Sequence, residues 1–289
     1  MIKLNKESLV EQSVIGEIQS PMIGNNPYTI GSDGELRILP GVGGISYNVR
    51  IGDRVCGLMA DHVEPCVTIK NQNENANGAL NVLSCIGNKA YVVTGDAKGN
   101  VGYVTGKHGG CEHVLIDFEP EVLEKLVIGD KIQIRSFGVG LKLEEEGVEK
   151  DIKIFNIDPR LLEKINYYEE EGKINFPVTH YIPAGIMGSG LGRNNVSRGD
   201  YDIQLFDEKI KEEYKLDLLR FGDFVAIIDA DNSYGRIYKT GAITIGVVVH
   251  SDCYLSGHGP GVTTIMTSSR GNIRPFIDKE SNLKKYLYN

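Results

Sequence analysis

Tryptophan is absent from the 289 residues, and cysteine is sparse and unpatterned. The five cysteines, Cys56, Cys66, Cys85, Cys111 and Cys253, are odd in number and contain no CxxC spacing. That argues against a disulfide framework and against a cysteine-only zinc site. It predicts reduced thiols and hence a cytoplasmic setting. Long apolar runs are missing as well. The longest, around residues 243–249, falls far short of the roughly 20 residues that span a bilayer. The opening MIKLNKESLVEQ lacks the apolar stretch of a secretory signal. No membrane partner is therefore expected. Blocks of lysine or arginine are also lacking, and 31 basic residues stand against 39 acidic ones, for a net charge of −8. A duplex-binding protein needs a basic face to displace counterions from phosphates, so no nucleic-acid partner is expected.

Helical periodicity is scarce, whereas glycine is abundant at 35 residues without a triplet repeat. Many tight turns follow from that. The segments Gly52-Asp53-Arg54-Val55, Gly129-Asp130-Lys131-Ile132 and Gly222-Asp223-Phe224-Val225 share one pattern, a Gly-Asp turn feeding an apolar run. Further strands are predicted at 90–93, 101–105, 113–117, 151–156, 202–206 and 242–250, the last β-branched and buried on both faces. Helices are predicted from the Asp158 cap and Pro159 to Gly172, over 120–127 and over 207–217. Residues 1–20 read as an extension or a short helix docking elsewhere, and 229–235 as a hairpin turn. The fold class is mainly β, with barrel- or sandwich-type strands and a few short helices. Two β-rich domains are predicted, 1–145 and 146–289, divided near the acidic Glu144-Glu145-Glu146-Gly147.

Four segments carry chemistry-bearing side chains. In Asp61-His62-Val63-Glu64, three candidate metal or acid–base groups fall within four residues; on an extended chain His62 and Glu64 share a face. In His108-Gly109-Gly110-Cys111-Glu112-His113 the glycines rule out the helix that would align the two histidines, so a loop feeding the next strand must do it. Cys111 lies between them as a candidate nucleophile. Met187-Gly188-Ser189-Gly190-Leu191-Gly192-Arg193 is neither a dinucleotide fingerprint nor a P-loop. With Arg193 it reads as an anion-binding loop, or as a hinge or lid, and Arg198, Asp200 and Asp202 follow. The fourth segment is the most informative. A buried strand ends at His250 and delivers Asp252, Cys253 and His258 among Gly257, Gly259 and Gly261, which is how reactive loops are commonly mounted on rigid strands.

The stretches ADHVEPCVTI, VTGKHGGCEHV, MGSGLG with GDYDIQ, LRFGDFVAI and IGVVVHSDCYLSGHGPGVTT resemble a family known as a domain of unknown function, DUF4438. The likeness covers most of the chain and implies a mainly-β fold of similar length. His108-Gly109-Gly110 and the later Gly-Asp strand are also similar to acetamidase/formamidase enzymes, which hydrolyse small amides; the GDGHAAQGDGE-type stretch of that family is absent.

The leading function is a metal-assisted, amide-type hydrolase of a small molecule. A divalent metal, zinc foremost, would be held by Asp61, His62, His108, His113, His250 and His258. Glu64, Asp252 or Cys253 would be catalytic, and Gly109, Gly110, Arg193, Gly257 and Gly259 would contact the ligand. The alternatives are a non-catalytic homo-oligomeric protein that binds a metabolite or ion, and a Cys-nucleophile enzyme. Catalytic zinc usually takes three protein ligands plus water, and no one segment supplies enough. His108 or His113 is therefore expected to meet His250 or His258 in one cleft, within roughly 8 Å if an ion is shared.

Overall fold

The computed structural model describes residues 3–23, 27–144, 151–190, 195–255 and 257–288. In the first half, six strands close into a barrel: β1 (Gln12–Ile18), β2 (Cys66–Lys70), β3 (Lys89–Val92), β4 (Val101–His108), β5 (His113–Asp117) and β6 (Lys131–Ser136). Their order is β1-β6-β3-β4-β5-β2, antiparallel throughout, and Glu17 opposite Lys70 closes the ring. Closure leaves no barrel edge open to pairing. Ile18, Ile69, Val104, Ile116, Ile132 and Ile134 fill the interior.

β1 lies where an extension or docked helix was expected. Gly16 and Ile18 face inward while Ser13 and Ile15 face outward, the two-residue alternation of a strand. The longest helix, α1 (Glu74–Leu83), was not anticipated. Its ENANGALNVL sequence has weak helix propensity, so the helix depends on context. The Asn73 side chain accepts from the Ala76 amide at 3.0 Å, and Leu80 packs into the barrel core.

The second half holds β7 (Ile152–Ile154), β8 (His180–Pro183), β9 (Met187–Gly190), β10 (Tyr201–Ile203), β11 (Phe224–Asp231), β12 (Ile237–Val248) and β13 (Val262–Ser268). Five of them form a sheet in the order β7-β13-β12-β11-β8, with β8 parallel to β11, and β9 pairs with β10. The helix expected from Pro159 to Gly172 spans only Pro159–Leu162. Tyr168–Glu170 instead pairs with Lys173–Val178, and Gly172, at φ +72°, belongs to the connecting turn. The other two predicted helices are also shorter, at Pro120–Leu123 and Glu208–Tyr214. The mainly-β expectation holds. Among the described residues no helix is long and apolar enough to cross a membrane.

The three Gly-Asp segments adopt one turn. Gly52, Gly129 and Gly222 have φ between +82° and +93°, where a side chain is disfavoured. Asp53, Asp130 and Asp223 each accept from the backbone amide three residues upstream, at 2.8, 3.0 and 2.9 Å. Two of the turns feed strands β6 and β11. The first leads only to a single bridge, Arg54 with Arg220.

The two halves share a core. Ile51, Leu115 and Leu141 pack in one cluster with Ile157, Phe224 and Ile245. Gly106 of β4 lies against Val249, and a Cβ there would collide with the valine side chain. This contact brings the end of β4 beside the end of β12. The change from barrel to second sheet falls between Ser136 and Ile152; the expected division at 145/146 lies at residues 145–150, outside the described residues.

Candidate metal centre

The β4–β5 hairpin builds the first wall. His108 and His113 stand opposite each other in its ladder, so both side chains leave the same face. Gly110 at φ +77° and Glu112 at φ +58° turn the chain between them. Helix α1 braces that turn, with Asn77 and Asn81 donating to the Glu112 carbonyl at 3.1 and 2.9 Å.

Glu64 sits between the two imidazoles. Its Oε1 accepts from His108 Nδ1 at 2.6 Å and from His113 Nδ1 at 2.9 Å. Its Oε2 accepts from the Gly43 amide and the Thr68 hydroxyl, both at 2.7 Å. Burial alone would push the Glu64 carboxyl up, but the hydrogen bonds from His108 and His113 hold it well below the usual range. Glu64 is thus an ionised, fully engaged acceptor. It fixes the His108 ring so that Nε2 is the nitrogen left for a ligand. Among the described residues, His113 Nε2 is buried without a hydrogen-bond partner.

The second wall comes from the end of β12 and from β10. His250 is fully buried, and its Nδ1 donates to the Ser251 carbonyl at 2.9 Å. Its Nε2 lies 2.7 Å from Asp200 Oδ2 and 3.2 Å from Asp202 Oδ1. Asp200 and Asp202 flank Tyr201 and therefore share a face. Burial would push His250 down, but the Asp200 charge, helped by Asp202, holds it well above its ordinary value. Asp200 is correspondingly lowered, the His250 charge outweighing burial. A Cβ at Gly261 would collide with both the Asp200 carboxylate and the His250 ring, and one at Gly259 would crowd His250. These two glycines clear room for the polar pair.

The walls meet. The His108 and His250 rings stack with centroids 4.3 Å apart, and His62 lies 5.8 and 5.2 Å from them. His258 is 6.0 Å from His62, and its Nδ1 lies 3.4 Å from Ser189 Oγ. A cleft of about 470 Å³ opens between these groups, lined also by Gly109, Gly110, Glu112, Arg198 and Asp202. His62 is held at φ +52°, an unusual conformation for a histidine and the kind of backbone strain that gathers at functional sites.

Three side chains fit a cation. His108, Asp200 and His250 each offer a ligand atom within 4.8 Å of the others, all three residues buried. Asp200 Oδ2 forms a buried ion pair with His250 Nε2 at 2.7 Å. An ion entering here would displace the His250 proton, leaving Nε2 and the Asp200 carboxylate as ligands of one cation. The outer nitrogens of both histidines are engaged, one by a carboxylate and one by a carbonyl, which is the usual support of metal-bound imidazole. Asp61, His62 and Cys253 form a second group of potential ligands nearby.

The remaining candidate residues sit elsewhere. Asp252 does not line the cleft; burial raises its pKa to about 6, against a hydrogen bond from the Gly57 backbone. Burial pushes the Cys111 and Cys253 thiols well up, which disfavours the thiolate a nucleophile requires. Gly257 packs against Gly188, with the Ser189 amide donating to its carbonyl at 2.7 Å. Arg193 lies outside the described residues. Asp200, Asp202 and Arg198 were noted in the sequence without a role. Their signal was Asp-x-Asp alternation, which places both carboxylates on one face of a strand.

Behind the walls lies a buried polar knot. Lys107 Nζ donates to Asn156 Oδ1 at 2.6 Å and to the Ser197 carbonyl at 2.7 Å. Asn156 Nδ2 donates to the Val196 and Thr264 carbonyls at 2.7 and 2.8 Å. The strand before His108, the loop before Asp200 and the strand after Gly261 are thereby fastened together.

Barrel, sheet and cleft define a two-part, mainly-β protein with a histidine- and aspartate-lined cleft where its halves meet. The chain belongs to the DUF4438 family: models of that domain of unknown function match its N-terminal part over residues 28–163 and its C-terminal part over 164–287. A solved structure, that of TM1086, is 47% identical to it, covers 99% of both chains and superposes with a TM-score of 0.93. No curated protein matches the chain. The acetamidase/formamidase likeness finds no support in these comparisons.

Proposed function

We propose that the cleft is a divalent-metal centre and that the protein is a metal-dependent hydrolase of a small polar molecule. The observation that carries this reading is the buried His108–Asp200–His250 group, whose ligand atoms all lie within 4.8 Å of one another. Three protein ligands with an open side fit catalytic zinc, and two imidazoles with one carboxylate also suit ferrous iron. The hydrolytic reading takes zinc. A bound ion would polarise a carbonyl and lower the pKa of a coordinated water.

The chain's own groups do the rest. Glu64 and the Ser251 carbonyl orient the two imidazoles, so Glu64 serves as a support and not as the base. Asp202 lines the cleft and accepts from Ser189 at 2.7 Å; it is placed to take a proton from water in the cleft. His62 and His258 flank the same space and can pass that proton onward. The Gly109 amide donates to Asp200 Oδ1 at 2.8 Å and so helps hold that ligand, while Gly110 borders the cleft. The test is turnover of a panel of small amides and esters. Chelator should abolish hydrolysis and added zinc restore it. Metal binding without turnover of any panel member would leave a metal-binding protein that is not this hydrolase.

A further inference from the structure

A second cavity, of about 600 Å³, shares no lining residue with the metal cleft. Its size is ordinary for a small-molecule site. Arg54, Lys215, Arg220 and Lys279 converge on it, although the chain as a whole is acidic. The antiparallel bridge between Arg54 and Arg220 sets two arginines, one from each half, side by side. Arg220 is neutralised by buried Asp223 at 3.0 Å. Among the described residues, Arg54 donates only to the Asp217 carbonyl, at 3.1 Å. Among the described residues, Arg54, Lys215 and Lys279 form no ion pair. Glu213 and Glu280 also line the cavity but pair with none of these cations.

Cations gathered without partners repel one another, and Lys215, the left-handed C-cap of the Glu208–Tyr214 helix, is among them. On one wall His180 is driven to a pKa of about 4, first by burial and then by the Arg220 charge. The other walls are Tyr181, Tyr214, Leu218 and Ile277, flat or apolar surfaces suited to a ring. Guanidinium forks and ammonium groups around one space match the several oxygens of a phosphate.

We propose that this cavity binds a small phosphate ester carrying a planar ring, at a site separate from the metal centre. The phosphate would sit among Arg54, Lys215 and Lys279, and the ring would lie against the tyrosines. The test is calorimetric titration of AMP, with adenosine as the phosphate-free control, into chelator-treated protein at low ionic strength. AMP is expected to bind and adenosine to bind at least about tenfold more weakly. The Arg54→Ala/Lys279→Ala variant removes two exposed side chains and should keep the wild-type melting temperature. It should lose at least about tenfold in AMP affinity. No AMP binding to wild type, equal binding of adenosine, or undiminished binding by the variant would each overturn the assignment.

Discussion

Glu64 shows what a single residue does here and how far the sequence reveals it. Its neighbourhood of Asp61 and His62 marked it as reactive, and an extended chain would have paired it with His62. The fold instead encloses it between His108 and His113, 44 and 49 residues onward. Only tertiary structure could show that enclosure. The histidines were readable because glycines surround them. Asp200 was not singled out, because its partner His250 is 50 residues away in sequence. If Glu64 fixes the His108 tautomer, Glu64→Gln should weaken zinc affinity about 10- to 100-fold, measured by competition with a chromogenic chelator. His180 supplies a test of pH dependence. Its folded pKa of about 4 lies below the ordinary 6.5, so between these values the unfolded chain binds more protons. Stability should therefore rise with pH across that window and be lost as pH falls through it. Urea unfolding of His180→Gln should show a shallower slope there than wild type. Equal slopes would mean that His180 is not held neutral.

Among the elements, strands with β-branched runs and Gly-Asp turns were the most readable. β5 spans the predicted 113–117, and β12 contains most of its predicted run. Helix α1 escaped because its stability comes from the Asn73 cap and from Leu80 in the barrel core, and propensity alone does not report either. β1 escaped because apolar Ile15 faces outward and Gly16 inward, which blurs its alternation in the sequence. The approach of β4 to β12 was also hidden, since it depends on the missing side chain of Gly106. Gly106→Ala should destabilise the protein by about 1–3 kcal/mol, the range for an overpacked interior, as measured in urea. Because the same contact brings His108 to His250, the variant should also lose zinc affinity. Unchanged affinity in a destabilised variant would detach the metal centre from this packing.

For the whole molecule, the mainly-β class followed from glycine content and the scarcity of helical periodicity, and the barrel with its companion sheet agrees. Closure of the barrel could not be read, because it rests on the pairing of Glu17 with Lys70 across 53 residues. The shared core of Ile51, Leu115, Phe224 and Ile245 makes the cleft a property of both halves at once. At the centre of that cleft, His108, Asp200 and His250 are proposed to hold one divalent ion. The direct test is elemental analysis of purified, untagged protein, wild type beside His108→Ala and His250→Ala. The account predicts about one equivalent of zinc or iron per chain in wild type, with most of it lost in either variant. Wild-type protein without bound metal after incubation with zinc or iron, or variants that retain the wild-type amount, would contradict it.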